Sequence, residues 1–92
     1  MAIVAFFNDI RNCTTEQYYE VLTRLAQAGA DPPKGQLYHV MYMKDGAPHV
    51  IDVYDTPENL QAFGELLAPI LADMGIEAGP PVVVEAENTM AG

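Results

Sequence analysis

The chain has 92 residues, half of them apolar, which is enough for one domain with a modest hydrophobic core. Thirteen acidic residues against four basic ones give a net charge of −9, which argues against nucleic acids and anionic membrane surfaces as partners. Cys13 is the only cysteine, so the chain can form neither an intramolecular disulfide nor a thiolate metal cluster.

The first part of the chain predicts a strand followed by a helix. The run 2–9 is short, apolar and rich in β-branched and aromatic residues, which favours a strand covered on both faces. Thr14 followed by Gln17 matches the capping box that begins a helix, and Gly29 is expected to end that helix. Apolar side chains recur between them at helical spacing: Tyr18, Val21, Leu22, Leu25 and Ala26.

The segment 36–54 predicts a β-hairpin that turns at Asp45-Gly46, a pair that favours a two-residue reversal. With that turn, His39 falls opposite Asp52. A four-residue loop would keep the two on the same face, whereas a three- or five-residue loop would separate them. One imidazole and one carboxylate are therefore predicted to meet on an otherwise apolar sheet face.

The last part of the chain predicts a second helix and a final strand. Thr56 is the expected cap and Pro57 the first helical residue, and Gly75 is expected to close the helix. Pro69 lies inside the apolar pattern, where it is expected to kink or restart the helix. The run 82–87 predicts a strand in which Glu85 and Glu87 protect a solvated edge.

The order strand, helix, strand, strand, helix, strand is that of a ferredoxin-like α+β domain, here a single domain spanning residues 1–92. Two helices cover only one face of a four-stranded antiparallel sheet. The hairpin is nonetheless apolar on both faces. One face carries Tyr38, Val40, Tyr42, Ile51 and Val53; the other carries Leu37, Met41, Met43, Val50 and Tyr54 beside His39 and Asp52. An uncovered apolar face predicts a homodimer that pairs sheet on sheet.

Neither a cleavable signal peptide nor a membrane-spanning apolar run is visible, so we expect a cytoplasmic protein. A metal site is not expected either, because the two histidines, His39 and His49, should point to opposite faces of the hairpin. The chain has no serine, which argues against a serine-based catalytic triad.

Several motifs resemble a known family over roughly residues 3–88. They are the strand Tyr38-His-Val, the segment from Asp45-Gly to Val50-Ile-Asp-Val-Tyr-Asp-Thr-Pro-Glu, and Ala62-Phe followed by Leu67-Ala-Pro-Ile-Leu and Gly75. Together with the order of elements they resemble the dimeric α+β barrel superfamily, and within it small proteins related to antibiotic biosynthesis monooxygenases. The resemblance implies two subunits with their sheets packed face to face, and in each subunit a pocket between sheet and helices.

The resemblance also implies a chemistry. Such monooxygenases oxidise polycyclic aromatic substrates without metal or flavin, and the substrate anion itself reacts with oxygen. They rely on a polar residue of the first strand, often asparagine, which Asn8 matches in position. They also rely on an aromatic residue, often tryptophan. This chain has no tryptophan, and Tyr54 stands at the corresponding position.

Five residues are therefore the candidate site. His39 is the candidate general base and Asp52 the carboxylate that fixes its tautomer; the alternative is a buried polar pair that satisfies itself. Tyr54 and Met41 are candidate ligand contacts, or else core and interface residues. Asn8 is a candidate donor toward oxygen, or else a strand-end turn residue.

The predicted function is a cofactor-independent, monooxygenase-like enzyme acting on a small aromatic or polyketide-like molecule. Two alternatives remain open. One is a homodimer that binds a small hydrophobic ligand without chemistry, and the other is an isomerase or cyclase in which proton transfer by His39 is the whole reaction.

Overall fold

A computed structural model describes residues 1–90 as a sheet with two helices on one face. The elements are β1 (Ile3–Phe7), β2 (Ile10–Arg11), α1 (Thr15–Gln27), β3 (Gln36–Lys44), β4 (Ala47–Tyr54), α2 (Pro57–Asp73), β5 (Glu77–Ala78) and β6 (Val82–Glu85). Four strands form an antiparallel sheet in the order β3-β4-β1-β6, which confirms the predicted ferredoxin-like fold. The two-residue strands β2 and β5 pair separately and were not predicted, because two residues leave no periodic pattern.

Both helices begin at the predicted caps. The Thr14 hydroxyl accepts from the Gln17 backbone N–H at 3.1 Å, and the Gln17 side chain accepts from the Thr14 N–H at 2.8 Å, which completes the capping box. The Thr56 hydroxyl accepts from the Asn59 N–H at 3.2 Å. Helix α2 continues through Pro69 to Asp73, so the expected restart of the helix there does not occur.

The hairpin has the predicted register. Asp45 and Gly46 both adopt positive φ, 54° and 77°, as a two-residue turn matching the twist of the strands requires. His39 pairs directly with Asp52 across the two strands. The one departure is an irregularity between Gln36 and Tyr38, and Leu37 within it is 57% exposed rather than packed beside His39.

The hydrophobic core lies between the sheet and the helices. Its buried members come from both layers: Ile3, Val21, Leu25, Ala30, Tyr54, Phe63 and Ile76. The side chains of α1 and α2 therefore cover one sheet face only, as the sequence predicted.

The opposite sheet face, here called the outer face, is apolar across all four long strands. The alternation of side chains along the paired strands places these residues on it: Val4, Phe6, Tyr38, Val40, Tyr42, His49, Ile51, Val53, Val82 and Val84. Tyr38 and Val82 are more than half exposed, at 58% and 53%. No element among residues 1–90 covers this face.

Candidate active site

A cavity of about 500 Å³ lies between the sheet and the two helices. Most of its wall is apolar, with these side chains from both layers: Phe7, Val21, Leu22, Leu25, Val50, Phe63, Leu67 and Leu71. Loop prolines add further apolar wall: Pro32, Pro33, Pro80 and Pro81. An apolar cavity of this size with a few polar groups is typical of a small-molecule site.

Three polar side chains of the cavity, Asp52, His39 and Tyr18, form a hydrogen-bonded chain. The His39 Nδ1 lies 2.5 Å from an oxygen of Asp52, and the His39 Nε2 lies 2.6 Å from the Tyr18 hydroxyl. The Asp52 carboxylate accepts a hydrogen bond from the Nδ1–H, which leaves Nε2 as the acceptor for the Tyr18 O–H. Asp52 is only 1% exposed, whereas the His39 side chain is 28% exposed and can be reached from the cavity.

Neighbouring elements hold this chain in place. His39 and Asp52 are a direct cross-strand pair of β3 and β4, so the hairpin register alone brings them together. Tyr18 comes from the first turns of α1, and its ring lies parallel to the His39 ring, at 4° and 6.0 Å between centroids.

Tyr18 was not predicted as a site residue, because its position on the apolar stripe of α1 indicated core packing. One signal was present in the sequence: a partly buried tyrosine needs a partner for its hydroxyl. Which partner it meets depends on how the helix crosses the sheet, and no local pattern specifies that crossing.

The electrostatics of the cavity keep Tyr18 protonated and disfavour anions. Burial raises the pKa of the Tyr18 phenol above its ordinary value, and the charges of Tyr19 and Asp52 raise it further. The charged residues that line the cavity are Asp31 and Asp52, with no lysine or arginine among the described lining residues. The cavity is therefore suited to an uncharged ligand.

The other three candidate residues do not line this cavity. Tyr54 shares the sheet face of Asp52, but its side chain is fully buried, with its ring 5.7 Å from that of Phe63. Met41 is half-buried on β3, and Asn8 is exposed after the end of β1. The structure thus brings His39, Asp52 and Tyr18 together at the cavity.

Tyr54 has a consequence for stability that can be measured. Burial, with the charge of Asp52, raises its pKa well above the ordinary value of about 10. Above about pH 10 the Tyr54 phenol loses its proton in the unfolded chain but retains it in the folded chain. The free energy of unfolding therefore falls as the pH rises. In the wild type this effect should lower the free energy of unfolding by up to about 1.4 kcal/mol per pH unit above about pH 10. Phenylalanine has no proton to lose, so we expect this contribution to be absent in Tyr54→Phe. Urea unfolding of both proteins from about pH 8 to about pH 11 tests this, and identical pH profiles would contradict it.

Within residues 1–90, no three histidine, cysteine or acidic side chains converge. His49 lies on the outer face, stacked on Tyr42 at 5.3 Å, and not beside His39. In the same part of the chain, no helix is long and apolar enough to cross a membrane.

Comparison with known proteins gives matches in structure only. Neither protein-family models nor curated protein sequences match this chain. A structure from Chloroflexus aurantiacus, provisionally described as an antibiotic biosynthesis monooxygenase, aligns with a TM-score of 0.63 at 14% identity, over 98% of this chain and 95% of that one. Another with the same provisional description, from Caulobacter crescentus, has a TM-score of 0.58 at 20% identity, over 97% and 89%.

A third similar structure is a variant of SnoaB, a cofactor-independent oxygenase from Streptomyces nogalater. It has a TM-score of 0.54 at 19% identity and covers 99% of this chain and 96% of that one. At such identities the likeness establishes the fold and leaves the activity open. The chain therefore has the ferredoxin-like α+β fold of antibiotic biosynthesis monooxygenase-like proteins.

Proposed function

We propose that this protein is a cofactor-independent, monooxygenase-like enzyme that acts on a small, uncharged aromatic or polyketide-like molecule. The observation that carries the proposal is the Asp52–His39 pair at the wall of an apolar cavity. The bond to Asp52 orients the imidazole so that Nε2 is an acceptor facing Tyr18 at the cavity wall, and a general base requires such an acceptor nitrogen. SnoaB, which is described as a cofactor-independent oxygenase, has the same fold and supports this choice.

The proposed chemistry begins with removal of a proton from the substrate. His39 accepts the proton and Asp52 stabilises the resulting imidazolium. The substrate anion then supplies the electrons that reduce oxygen, so that one oxygen atom enters the product and the other leaves as water. The mostly apolar wall offers few polar groups that could hold competing water beside the reacting atoms.

We further propose that the protein is a homodimer that pairs through the outer face. The face is apolar on four strands, and no element within residues 1–90 covers it. The cavity lies on the opposite side of the sheet, so pairing of the outer faces leaves each cavity accessible.

Oxygen uptake over a panel of phenols, anthrones and quinols tests the proposed reaction. We expect uptake with at least one member and a product that contains one added oxygen atom. Conversion that continues without oxygen would favour the isomerase or cyclase alternative. Binding without conversion, whether oxygen is present or absent, would favour a ligand-binding role. Either of these two results would contradict the proposed oxygenase.

The two acidic residues at the cavity wall predict a preference for neutral over anionic ligands. A carboxylate ligand would meet Asp31 and Asp52 with no lining cation to neutralise it, and desolvation of a charge is costly. We expect 2-naphthol to bind at least about tenfold more tightly than 2-naphthoate, a difference of about 1.4 kcal/mol. Calorimetric titration measures both affinities. Equal binding, or tighter binding of the carboxylate, would contradict the selectivity.

A further inference from the structure

The base of the proposed site is already hydrogen-bonded. The Tyr18 hydroxyl donates to the His39 Nε2 at 2.6 Å, and both side chains line the cavity. A ligand therefore reaches His39 either by displacing this hydroxyl or by acting through it. A phenol oxygen that donates one hydrogen bond can still accept another, so the second route needs no rearrangement of the protein.

We propose that Tyr18 is a catalytic proton relay between the ligand and His39. The inference rests on the proposed function, since it assigns the route by which that reaction begins. The acidic hydroxyl of the ligand donates to the Tyr18 oxygen from the cavity. Its proton passes to Tyr18 as the proton of Tyr18 passes to Nε2.

The transfer is balanced without any further reactant. The ligand O–H bond breaks and a new O–H bond forms on Tyr18, while the former Tyr18 O–H bond breaks and an N–H bond forms at Nε2. The products are a ligand anion, a neutral Tyr18 and a His39 imidazolium beside the Asp52 carboxylate. Because burial and nearby negative charge disfavour a tyrosinate here, the two transfers should occur together.

The packing of Tyr18 favours the relay over displacement. Its ring lies parallel to the His39 ring and meets Tyr19 edge-on at 5.2 Å. It belongs to a helix whose start is held by the Thr14–Gln17 capping box. If the ligand displaced the Tyr18 hydroxyl, the hydrogen bond between Tyr18 and His39 would be lost. The relay keeps this hydrogen bond and transfers the proton along it.

The first test compares Tyr18→Phe with Tyr19→Phe as a matched control. Tyr19 is the adjacent tyrosine, is 59% exposed and does not line the cavity. On a substrate found in the oxygen-uptake panel, we expect Tyr18→Phe to lower kcat by about 10²-fold or more, in the range of a lost acid–base contribution. KM should change by less than about tenfold, because the variant keeps the ring that shapes the cavity and loses one hydrogen bond to the ligand. Tyr19→Phe should retain wild-type turnover.

The second test reads the proton itself rather than turnover. The visible absorbance of 4-nitrophenol reports its ionisation, so binding at a pH below its own pKa shows whether the site removes its proton. We expect the wild type and Tyr19→Phe to bind it as a phenolate whose proton has passed to His39, so that the net charge of the cavity does not change. Tyr18→Phe should bind it as the phenol. Circular dichroism checks that each variant is folded, and a purely structural role would not change the ionisation of the bound probe.

The outcomes separate this inference from the proposed function. If Tyr18→Phe keeps or gains activity while His39→Gln loses it, the relay is overturned, but His39 is still supported as the general base. If both variants keep wild-type turnover and still ionise the probe, both proposals fail. A wild type that leaves the bound probe protonated also overturns the relay. Loss in both variants, with Tyr19→Phe unchanged, supports it.

Discussion

Replacing His39 with glutamine is expected to lower kcat by about 10²- to 10⁴-fold, the usual contribution of a general base. Glutamine is close to histidine in size, and its amide N–H can still donate to Asp52, so the buried carboxylate keeps a partner. It cannot accept a proton at neutral pH. Turnover should therefore fall while the fold and the melting temperature change little. Oxygen uptake on the best substrate of the panel measures the effect.

His49→Gln is the matched control, because His49 is the only other histidine. It lies on the outer face beside Tyr42, on the opposite side of the sheet from the cavity. The same chemical change there should leave kcat within about twofold of the wild-type value, since no acid–base contribution is removed. Equal rates for the His39 variant and the wild type would remove His39 from the chemistry.

Replacing Ile51 with lysine is expected to dissociate the proposed dimer. Ile51 lies near the middle of the outer face, between Val40 of β3 and Phe6 of β1. A symmetric dimer would bury two such lysines, and each unpaired buried charge costs about 3 kcal/mol or more. Partial access of the long side chains to water reduces this cost. We therefore expect the dimer to weaken by about 10³-fold or more, measured by sedimentation equilibrium.

Leu66→Lys is the control for this change, because it adds the same charge at an exposed leucine of α2, on the helical side of the molecule. Its oligomeric state should match that of the wild type. In a separated subunit the lysine at position 51 would face water, so circular dichroism should still show a folded chain. A wild type that is monomeric at every concentration would contradict the proposed dimer.

The elements with strong local signals were predicted correctly. The Asp45-Gly46 turn set the register that pairs His39 with Asp52, because a two-residue reversal leaves only one alignment. The caps Thr14 and Thr56 were found from their side chains alone. In each case the determining interaction lies within a few residues of the chain.

The features that were not predicted depend on contacts between distant segments. Tyr18 meets His39 only because α1 crosses the sheet at one angle, and they are 21 residues apart in sequence. Tyr54 alternates correctly with Asp52, yet it packs against Phe63 instead of lining the cavity. Alternation assigns a residue to a face but does not show how far along that face the cavity extends.

Strand β4 contributes to both sides of the sheet at once. Val50 and Asp52 face the cavity, whereas Ile51 and Val53 belong to the outer face. A single inserted or deleted residue within this strand would exchange the two sets, placing the carboxylate outside and the isoleucine in the cavity. In the evolutionary history of this chain, β4 should therefore have changed by substitution only, with length variation confined to the connecting loops. Aligned descendants of a common ancestor would show this as an uninterrupted block from Ala47 to Tyr54.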